Sequence, residues 1–446
     1  MKDEEKKDLL LGLSALAVFG ALKRDPVIGK TMEALGMADS AKAEDRVSCI
    51  SDIAASLYHS GGDMTEYVLN AALDDENAYL TAIAKGLPVS EEMEYAVRYE
   101  LSVLTKLGTL TARDLLESPA CEPACGEAAG GTADGSTAGG TADGEAAGGT
   151  ADGKATEDAR RGAGNTEALY VPEWHTSKRD IADAYFDMIG HIPTKGYGVY
   201  RKYNAFKLDD GRLAPVKHAD PQSLDTLYGY EEERKKVFDN TKVLAEGGRA
   251  SNVLLYGDAG TGKSSTIKAC ASHFAGAGVR LIEFSKDEIP EIPKIIDEIY
   301  DTPLKFIFYI DDLSFSGEDD DFCYLKGILE GNITGKSDNV VIYATSNRRH
   351  LVRELAEDRE GTDIHINDTL QQTMSLSARF GLIVTFSKPG KDLYLHIVKN
   401  LAQDYGVDLP EKVLFAKAEQ FAIRQNGRSP RTAKQFLELL SADSGN

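Results

Sequence analysis

The stretch VLLYGDAGTGKSS, from Val253 to Ser265, changes abruptly from an apolar run into three glycines, a lysine and two serines. It matches the pattern G-x-x-x-x-G-K-[ST] through Gly257, Gly262 and Lys263, followed by a serine. The apolar run predicts a buried strand, and a helix is expected to begin near Lys263. A strand, a glycine-rich turn and a helix in this order predict a loop that binds the phosphates of a nucleoside triphosphate.

Each residue type in this loop has a physical task. The glycines let the backbone curl so that successive N–H groups point inward around an anion. The helix that follows directs the positive end of its dipole at the phosphates. Lys263 adds a mobile positive charge for the β- and γ-phosphates, and the Ser264 hydroxyl is expected to ligate Mg²⁺. The predicted nucleotide-binding residues of the loop are Gly257, Asp258, Ala259, Gly260, Thr261, Gly262, Lys263, Ser264 and Ser265.

A second apolar run, FIFYIDDLSF at residues 306–315, contains two adjacent carboxylates and is expected to be a central strand. Because the carboxyl ends of parallel strands meet at one edge of a sheet, both acids are expected near the phosphate loop. We expect Asp311 to hold Mg²⁺ through water and Asp312 to polarise the attacking water. The acidic GEDDD that follows, at residues 317–321, is expected to be an exposed loop without a catalytic role.

From Leu224 onward, strand-like and helix-like segments alternate. This alternation predicts an α/β fold with a parallel sheet that helices cover on both faces. The predicted strands are residues 252–256, 279–284, 305–310, 339–344 and 382–386. Beyond Pro389 the patterns are helical only. The predicted P-loop core therefore spans residues 224–388, and a helical C-terminal lid spans residues 389–446.

At these motifs the chain resembles the AAA+ ATPases. The strand IYATSN ends in Asn347, which resembles their sensor-1 position near the γ-phosphate. SLSARFG, at residues 375–381, resembles the segment that presents an arginine finger, here Arg379, to a neighbouring subunit. The resemblance implies Asn347 and Arg379 as catalytic residues beside Asp312, and a homo-oligomer in which the finger acts in trans. An ordinary ion pair is the alternative for Arg379.

Two further segments carry the resemblance. GRSPRTAKQF, at residues 427–436, resembles sensor 2, with Arg431 as the expected nucleotide contact and Arg428 as the alternative. LYGYEEE, at residues 227–233, resembles the segment that borders the adenine, where Tyr230 is the expected contact. The chain looks closest to an uncharacterised family of bacterial AAA-type ATP-binding proteins and is more distantly similar to replication-initiator and helicase-loader ATPases. This resemblance implies ATP and Mg²⁺ as cofactors.

The pair Asp311–Asp312 departs from the Asp-Glu pair that most AAA+ proteins carry. Aspartate is one methylene shorter than glutamate, so the water that Asp312 polarises has to sit closer to the backbone. The loader-like relatives share Asp-Asp, and hydrolysis is therefore still expected, though at a slower rate.

The chain before the core divides into three parts. Residues 1–117 carry apolar side chains at helical spacing, for example at residues 47–58 and 67–83, and predict a helical N-terminal domain. Residues 118–164 contain GGTADG three times with a nine-residue period, which is also the period of calcium-binding β-rolls. Because this tract has no aromatic or branched aliphatic side chain, it predicts a disordered linker instead. Residues 165–223 predict an extension of the core whose aromatic side chains pack against it; stacking on single-stranded nucleic acid is the alternative.

The composition limits where the protein works and what it binds. The net charge of −22 argues against wrapping duplex DNA by bulk electrostatics. Five cysteines are few for 446 residues and favour a reducing cytoplasm, with Cys121 and Cys125 as linker thiols rather than metal ligands. The apolar run at residues 9–22 is shorter than the ~20 residues of a membrane helix and lacks a positive leader, which predicts a buried or partner-facing helix.

Three classes of function fit a phosphate loop. The first is a remodelling or loader-type ATPase that acts on an unknown protein partner, with nucleic acid left open as a partner. The second is a nucleotide-dependent switch or scaffold with little hydrolysis. The third is a small-molecule kinase or GTPase, which is disfavoured because the chain lacks an N-K-x-D guanine-reading segment. A protein-threading unfoldase is disfavoured as well, because no aromatic pore-loop pattern follows the second strand.

Overall fold

The computed structural model describes residues 1–37, 42–116, 171–220, 222–313, 320–330, 338–347, 379–425 and 427–444. By contacts the chain divides into two compact units, the first made of Met1–Ala15, Lys23–Tyr67 and Lys106–Lys178, the second of Leu16–Leu22, Val68–Thr105 and Arg179–Asn446. The predicted linker at 118–164 with its two cysteines, the start of the GEDDD loop and the start of SLSARFG lie outside the described residues. Among the described helices, none is long and apolar enough to cross a membrane.

Ten α-helices precede the first strand in the described part of the chain. They are α1 (Asp3–Ser14), α2 (Pro26–Gly36), α3 (Ala43–Tyr58), α4 (Met64–Asp74), α5 (Ala78–Ala84), α6 (Glu91–Gly108), α7 (Ala112–Leu116), α8 (Ile181–Gly190), α9 (Ile192–Lys195) and α10 (Val199–Lys202). Helix α2 begins as its sequence predicts: Asp25 accepts the N–H groups of Val27 and Ile28, and Pro26 occupies the first turn, where no N–H is needed.

Two predicted helical stretches are interrupted. The pattern at residues 67–83 is two helices, α4 and α5, because Asn77 caps α5 by accepting the N–H of Leu80 at 2.9 Å. The apolar run at residues 9–22 is not one helix either, since α1 ends at Ser14. The buried Glu100 carboxylate accepts the next backbone N–H groups, those of residues 17–19, at 2.8–3.2 Å, and so fixes a non-helical turn there.

The aromatic side chains of the segment before the core are mostly buried. Those below one tenth exposure are Trp174, Tyr185, Tyr197, Tyr200 and Phe206. In the first unit, the indole N–H of Trp174 donates to the carbonyl of Leu110 at 2.7 Å. In the second unit, Tyr200 packs between Phe206 and Phe306 in the core. This burial is what the packing interpretation predicts, since a base-stacking surface needs exposed rings.

The described residues contain one sheet of seven strands. They are β1 (Ala205–Asp209), β2 (Arg212–Pro215), β3 (Val253–Gly257), β4 (Val279–Phe284), β5 (Lys305–Ile310), β6 (Val340–Asn347) and β7 (Leu382–Phe386). Their order is β2-β1-β4-β5-β6-β3-β7, and every neighbouring pair is parallel except β1 with β2. The predicted α/β fold class is confirmed, and β4, β5 and β7 have the predicted bounds.

The hairpin formed by β1 and β2 was not among the predicted strands. Its two-residue turn consists of Asp210 and Gly211, both in the left-handed region at φ 49° and 70°. Asp-Gly is a preferred sequence for this kind of turn, so the signal is present in KLDDGRLAP. The hairpin extends the sheet because Phe206 of β1 pairs in parallel with Ile282 of β4.

Seven α-helices follow the hairpin in the described residues. They are α11 (Glu231–Ala245), α12 (Lys263–His273), α13 (Ile292–Ile299), α14 (Asp320–Glu330), α15 (Lys391–Asp404), α16 (Glu411–Arg424) and α17 (Pro430–Ser444). Helices α11 and α12 cover one face of the sheet, and α13 and α14 cover the other. Strand β5 is central, so its side chains alternate between two apolar layers: Phe308 lies in one and Tyr309 in the other. Helices α15–α17, in the segment expected to be a lid, pack around a small core of their own.

Candidate functional site

The glycine-rich loop follows β3 and begins α12, as predicted. Gly257 ends the strand with φ 143°, and a Cβ there would lie 2.0 Å from the carbonyl oxygen of Phe386 on β7. Only glycine fits this close approach. The next residue, Asp258, fixes the turn from both sides, since its N–H donates to Phe386 O and its carboxylate accepts the N–H of Lys388. The loop is therefore held against the edge strand β7.

The register of β6 brings three sequence-distant segments together. This strand lies between β3 and β5 and pairs Gly257 with Asn347, and Ile310 with Ala344. The residues just beyond these pairs are Asp311 after β5 and Thr345 on β6. The phosphate loop, the two predicted carboxylates and the predicted sensor residue consequently meet at one edge of the sheet.

Lys263 is a buried charged group at this edge of the sheet, with 6% of its surface exposed. Its ammonium donates to the carbonyls of Gly257 and Asp258, both at 2.9 Å, and to Asn347 Oδ1 at 3.0 Å. Burial lowers the pKa of Lys263, although nearby carboxylates, led by Asp312, act in the opposite direction. The three acceptors hold the ammonium in the mouth of the loop, where a phosphate oxygen can replace any of them.

Asp311 is tied to the loop by direct hydrogen bonds. Its Oδ1 accepts the hydroxyl of Ser264 at 2.9 Å and the hydroxyl of Thr345 at 2.6 Å. Burial acts to raise the pKa of this carboxyl group, but the donors around it, led by Thr345, outweigh burial and lower the pKa below its ordinary value. Asp311 is therefore an anion held 2.9 Å from the serine that is predicted to ligate the metal.

Asp312 has an unusual backbone and a fixed side chain. Its φ is 50°, a left-handed conformation that aspartate tolerates better than most residues. Its N–H donates to Thr345 Oγ1 at 2.9 Å, and its Oδ1 accepts the amide of Asn347 at 2.5 Å. One hydroxyl, that of Thr345, thus positions both acids: it donates to Asp311 and accepts from Asp312.

A cleft of about 620 Å³ lies over the loop, between the core and the lid. Loop residues 259–265 line it, together with Asp311, Asp312, Asn347 and Arg431. The lid touches the loop directly, because the N–H of Arg431 donates to the carbonyl of Gly260 at 3.2 Å. Most predicted site residues are therefore brought together around one cleft.

The cleft has further lining residues that were not singled out individually from the sequence, and we call this part of the lining the far end of the cleft. They are Gln222, Thr226, Leu227, Tyr228, Arg234, Ile397, Leu401, Asp404, Tyr405 and Lys434. The hydroxyl of Tyr228 donates to the Asp404 carboxylate on α15, with distances of 2.9 and 3.0 Å to its two oxygens. Two apolar side chains from the lid, Ile397 and Leu401, face this end. It has the mixed apolar and polar lining that suits a nucleoside.

Two predicted contacts lie elsewhere. Tyr230 is 7% exposed and does not line the cleft: its ring packs on Phe386, and its hydroxyl donates to the carbonyl of Ser387 at 2.7 Å. From the same segment, Leu227 and Tyr228 line the cleft, whereas Tyr230 has a left-handed backbone, at φ 60°, and its side chain lies in the core. Arg428, the alternative for sensor 2, pairs with Glu419 at 2.6 and 2.8 Å and leaves Arg431 in the cleft.

Arg379 lies outside the cleft, just before β7. Its guanidinium pairs with the carboxylate of Glu330 at the end of α14. Within one chain, Arg379 thus forms the ordinary ion pair that the sequence analysis gave as the alternative to an arginine finger. A role at the site of a neighbouring copy stays a prediction, since it requires this arginine to leave Glu330.

The chemistry of the donor set fits Mg²⁺. Ser264 and Asp311 offer a hydroxyl and a carboxylate, and Mg²⁺ prefers oxygen ligands while retaining several waters and phosphate oxygens. No group of three His, Cys, Asp or Glu residues that could hold a metal ion occurs in the described parts of the chain. A magnesium ion that is held mainly by phosphates and water does not require such a group.

Thr345 and Tyr228 were missed from the sequence for different reasons. Thr345 lies in the YATSN segment, and alternation along β6 would have placed it beside the acids, so the signal was available. Tyr228 faces the cleft only because helix α15 packs against it, which no local pattern reveals.

Comparison with known proteins gives one family match. A sequence-family model described as "Protein of unknown function (DUF815)" matches residues 201–444, which confirms the sequence resemblance to an uncharacterised family. No curated protein sequence matches the chain.

Similar solved structures include a RuvB mutant from Thermotoga maritima (16% identity), AMPPCP-bound DnaA from Aquifex aeolicus (16%) and the replication initiator DnaA bound to AMPPCP and single-stranded DNA (17%). Each has a TM-score of 0.34 and covers 49% of this chain. The chain covers 64% of each of those structures, which is less than two thirds of their length. At this score the likeness says nothing about activity.

Proposed function

This chain belongs to the DUF815 family, and we propose that within it the chain acts as a Mg²⁺-dependent ATPase. The observation that carries the proposal is the hydrogen bond between Ser264 and Asp311, at 2.9 Å. It joins a glycine-rich loop that begins a helix to a carboxylate at the end of a central strand. This pairing of a hydroxyl with a carboxylate is the arrangement that holds Mg²⁺ beside bound phosphates.

The chain's own residues divide the work. The loop N–H groups and the N-terminus of α12 bind the phosphates, and Lys263 neutralises their charge by exchanging its carbonyl acceptors for phosphate oxygens. Ser264 and Asp311 would hold Mg²⁺, which would neutralise the charge that develops on the phosphates. Asp312, oriented by Asn347 and Thr345, accepts a hydrogen bond from the attacking water. Arg431 approaches the phosphates from the lid.

The far end of the cleft supports the nucleoside part of the proposal. Tyr228 and Asp404 supply a polar edge, and Ile397 and Leu401 supply an apolar wall. We propose that this end binds the base and ribose of ATP. Because α15 belongs to the lid, a nucleotide here contacts the core and the lid at once.

The finer role is a remodelling or loader-type ATPase that acts on an unknown protein partner as a homo-oligomer, with Arg379 completing the site of the next copy. The acidic composition, with a net charge of −22, disfavours phosphate backbones as its main partner. A cytoplasmic location is part of this proposal and accords with the few cysteines.

A nucleotide-dependent switch with little hydrolysis is the second candidate, and Asp312 favours it. Its carboxylate is shorter than the glutamate of most AAA+ proteins and is already engaged by Asn347 at 2.5 Å. Both features slow the activation of water without weakening nucleotide binding. Comparing single-turnover with steady-state hydrolysis separates the two candidates, since a switch completes at most one slow turnover.

A thermal-shift titration tests the proposal. MgATP at a hundredfold excess over Kd should stabilise the wild-type chain by ~2.7 kcal/mol. Asp312→Asn should retain this stabilisation and lose hydrolysis, because it keeps the shape and removes the base. An unfolding temperature that saturating MgATP leaves unmoved would remove the nucleotide from the proposal altogether.

A further inference from the structure

Tyr309 carries a buried hydroxyl that none of the interactions above uses. The side chain lies on the central strand β5, has 0% of its surface exposed and packs in the apolar layer beneath α12. Within the described residues the hydroxyl has no hydrogen-bond partner of ordinary geometry. A buried hydroxyl without a partner is costly, and a phenylalanine would fill the same space without that cost.

The hydroxyl is located next to the metal-binding residues. Tyr309 and Asp311 are two residues apart, so their side chains leave the strand on the same side. The tyrosine hydroxyl lies beside the Asp311 carboxylate and the Ser264 hydroxyl. The Lys268 ammonium lies over the Tyr309 ring, 5.5 Å from its centroid, and pairs with Glu283 at 3.3 Å.

The Asp311 carboxylate has acceptor capacity for one more donor. A carboxylate offers about four lone-pair sites, and the hydrogen bonds from Ser264 and Thr345 both go to Oδ1. Donors to one oxygen leave the carboxylate able to rotate about that point. Hydrogen bonds at active sites are often long before the ligand binds and tighten in the complex.

We propose that Tyr309 is a positioning residue of the metal site, whose hydroxyl donates to the Asp311 carboxylate and holds it in the orientation that Mg²⁺ requires. The proposal rests on the proposed function, because it assigns Tyr309 to the metal site of that ATPase. The residue touches neither nucleotide nor metal and acts only through Asp311.

The neighbouring strand provides a matched control. Tyr343 on β6 pairs with Tyr309 in register and is also 0% exposed in the same apolar layer. Its hydroxyl is satisfied by Asn240 and Thr241, at 3.0 and 2.9 Å, on the side of α11. Removing this hydroxyl breaks ordinary core hydrogen bonds and leaves the metal site intact.

The experiment measures the Kd of ATP by calorimetry with MgCl₂ and with EDTA, for the full chain and its Tyr309→Phe and Tyr343→Phe variants. The ratio of the two Kd values reports how strongly metal and nucleotide support each other. For Tyr309→Phe we expect this ratio to fall about tenfold, the size of one lost hydrogen bond to a charged group. Its Kd in EDTA should stay at the wild-type value, and its unfolding temperature should be unchanged or higher.

Tyr343→Phe should show the opposite pattern, with a lower unfolding temperature and the wild-type ratio. A wild-type ratio in Tyr309→Phe would overturn the inference and leave Tyr309 as core packing, while the ATPase proposal would stand. A wild-type chain that binds ATP neither with Mg²⁺ nor in EDTA would overturn both. A second readout is the Mg²⁺ concentration for half-maximal ATP hydrolysis. If the wild type binds ATP, and Tyr309→Phe alone needs more Mg²⁺ but reaches the wild-type rate at saturation, the positioning role is supported independently.

Discussion

The two ends of the cleft are built in different ways; after the proposed function we call the end at the glycine-rich loop the phosphate end and the far end the nucleoside end. At the phosphate end, Lys263, Asp311, Asp312 and Asn347 are joined to one another or to Thr345 by hydrogen bonds of 2.5–3.0 Å. At the nucleoside end, the comparable link among the described residues is the exposed hydrogen bond from Tyr228 to Asp404. The first end is set by strand register in a buried sheet, whereas the second depends on the lid.

This difference assigns separate tasks to the two ends. A network anchored on three strands has little freedom, which suits groups that have to meet charge developing in a transition state. A wall made of lid helices can move without disturbing that network. We therefore expect changes at the phosphate end to have large effects on turnover and binding, and changes at the nucleoside end to have small effects on binding alone.

The largest expected effect is on ATP turnover, and it tests whether a second copy of the chain completes the phosphate end. Arg379→Ala should lower ATP turnover by ~10³–10⁵ if the arginine acts as a finger on the site of the next copy, and should change MgATP affinity little. Specific activity of the wild type should rise with protein concentration, and the variant should lose this rise. Steady-state hydrolysis across a dilution series, with mass measured by light scattering, provides the readout.

Arg428→Ala is the matched control for Arg379, since it also breaks an arginine–glutamate pair, with Glu419, away from the cleft. Mixing Arg379→Ala with Lys263→Ala should restore part of the activity, because each intact half can complete a site at a mixed interface. Activity per chain that is constant across oligomeric states, together with a silent Arg379→Ala, would leave only the ion pair with Glu330 and favour the switch.

The second prediction separates the two ends by ligand. Lys263→Ala should weaken MgATP binding by about 10- to 100-fold, the range for hydrogen bonds to charged groups. Magnesium tripolyphosphate, which has phosphates and no nucleoside, should weaken by a similar factor. Calorimetric titration of both ligands measures this, with Lys242→Ala on the exposed side of α11 as the control. A Lys263→Ala variant that loses ATP but retains tripolyphosphate would contradict the assignment of the two ends.

The sequence predicted the phosphate end almost completely and the nucleoside end poorly, for physical reasons. Buried parallel strands are continuous apolar runs, so the predicted 252–256 lies within one residue of β3, and the polar residues that end such strands have to meet at one edge. The nucleoside end is assembled by packing between distant segments. The sequence placed Tyr230 beside the adenine, but its ring does not line the cleft. Its positive φ, which the sequence does not reveal, turns the ring inward.

The third prediction concerns the nucleoside end. Tyr228→Phe should weaken MgATP binding by about three- to tenfold, because it breaks the hydrogen bond to Asp404 that holds the polar edge in place. It should leave the tripolyphosphate affinity unchanged, since this hydrogen bond goes to the lid and not to the phosphate loop. The same pair of titrations provides the measurement, and Asp404→Asn serves as the partner variant. Equal losses for both ligands would show that the lid couples the two ends.

The smallest expected effect is a loss of stability in Tyr230→Phe, and it tests whether Tyr230 belongs to the nucleoside end. Tyr230→Phe deletes a hydroxyl that donates to Ser387 O at 2.7 Å in the core. Losing this hydrogen bond should cost about 1 kcal/mol of stability, read from the denaturation midpoint. MgATP affinity should remain at the wild-type value, because the buried ring lies on Phe386 behind the cleft and the backbone is unchanged. If Tyr230→Phe loses affinity for ATP but not for tripolyphosphate, Tyr230 is the adenine contact that the sequence suggested. The nucleoside end would then reach deeper into the core than Leu227 and Tyr228.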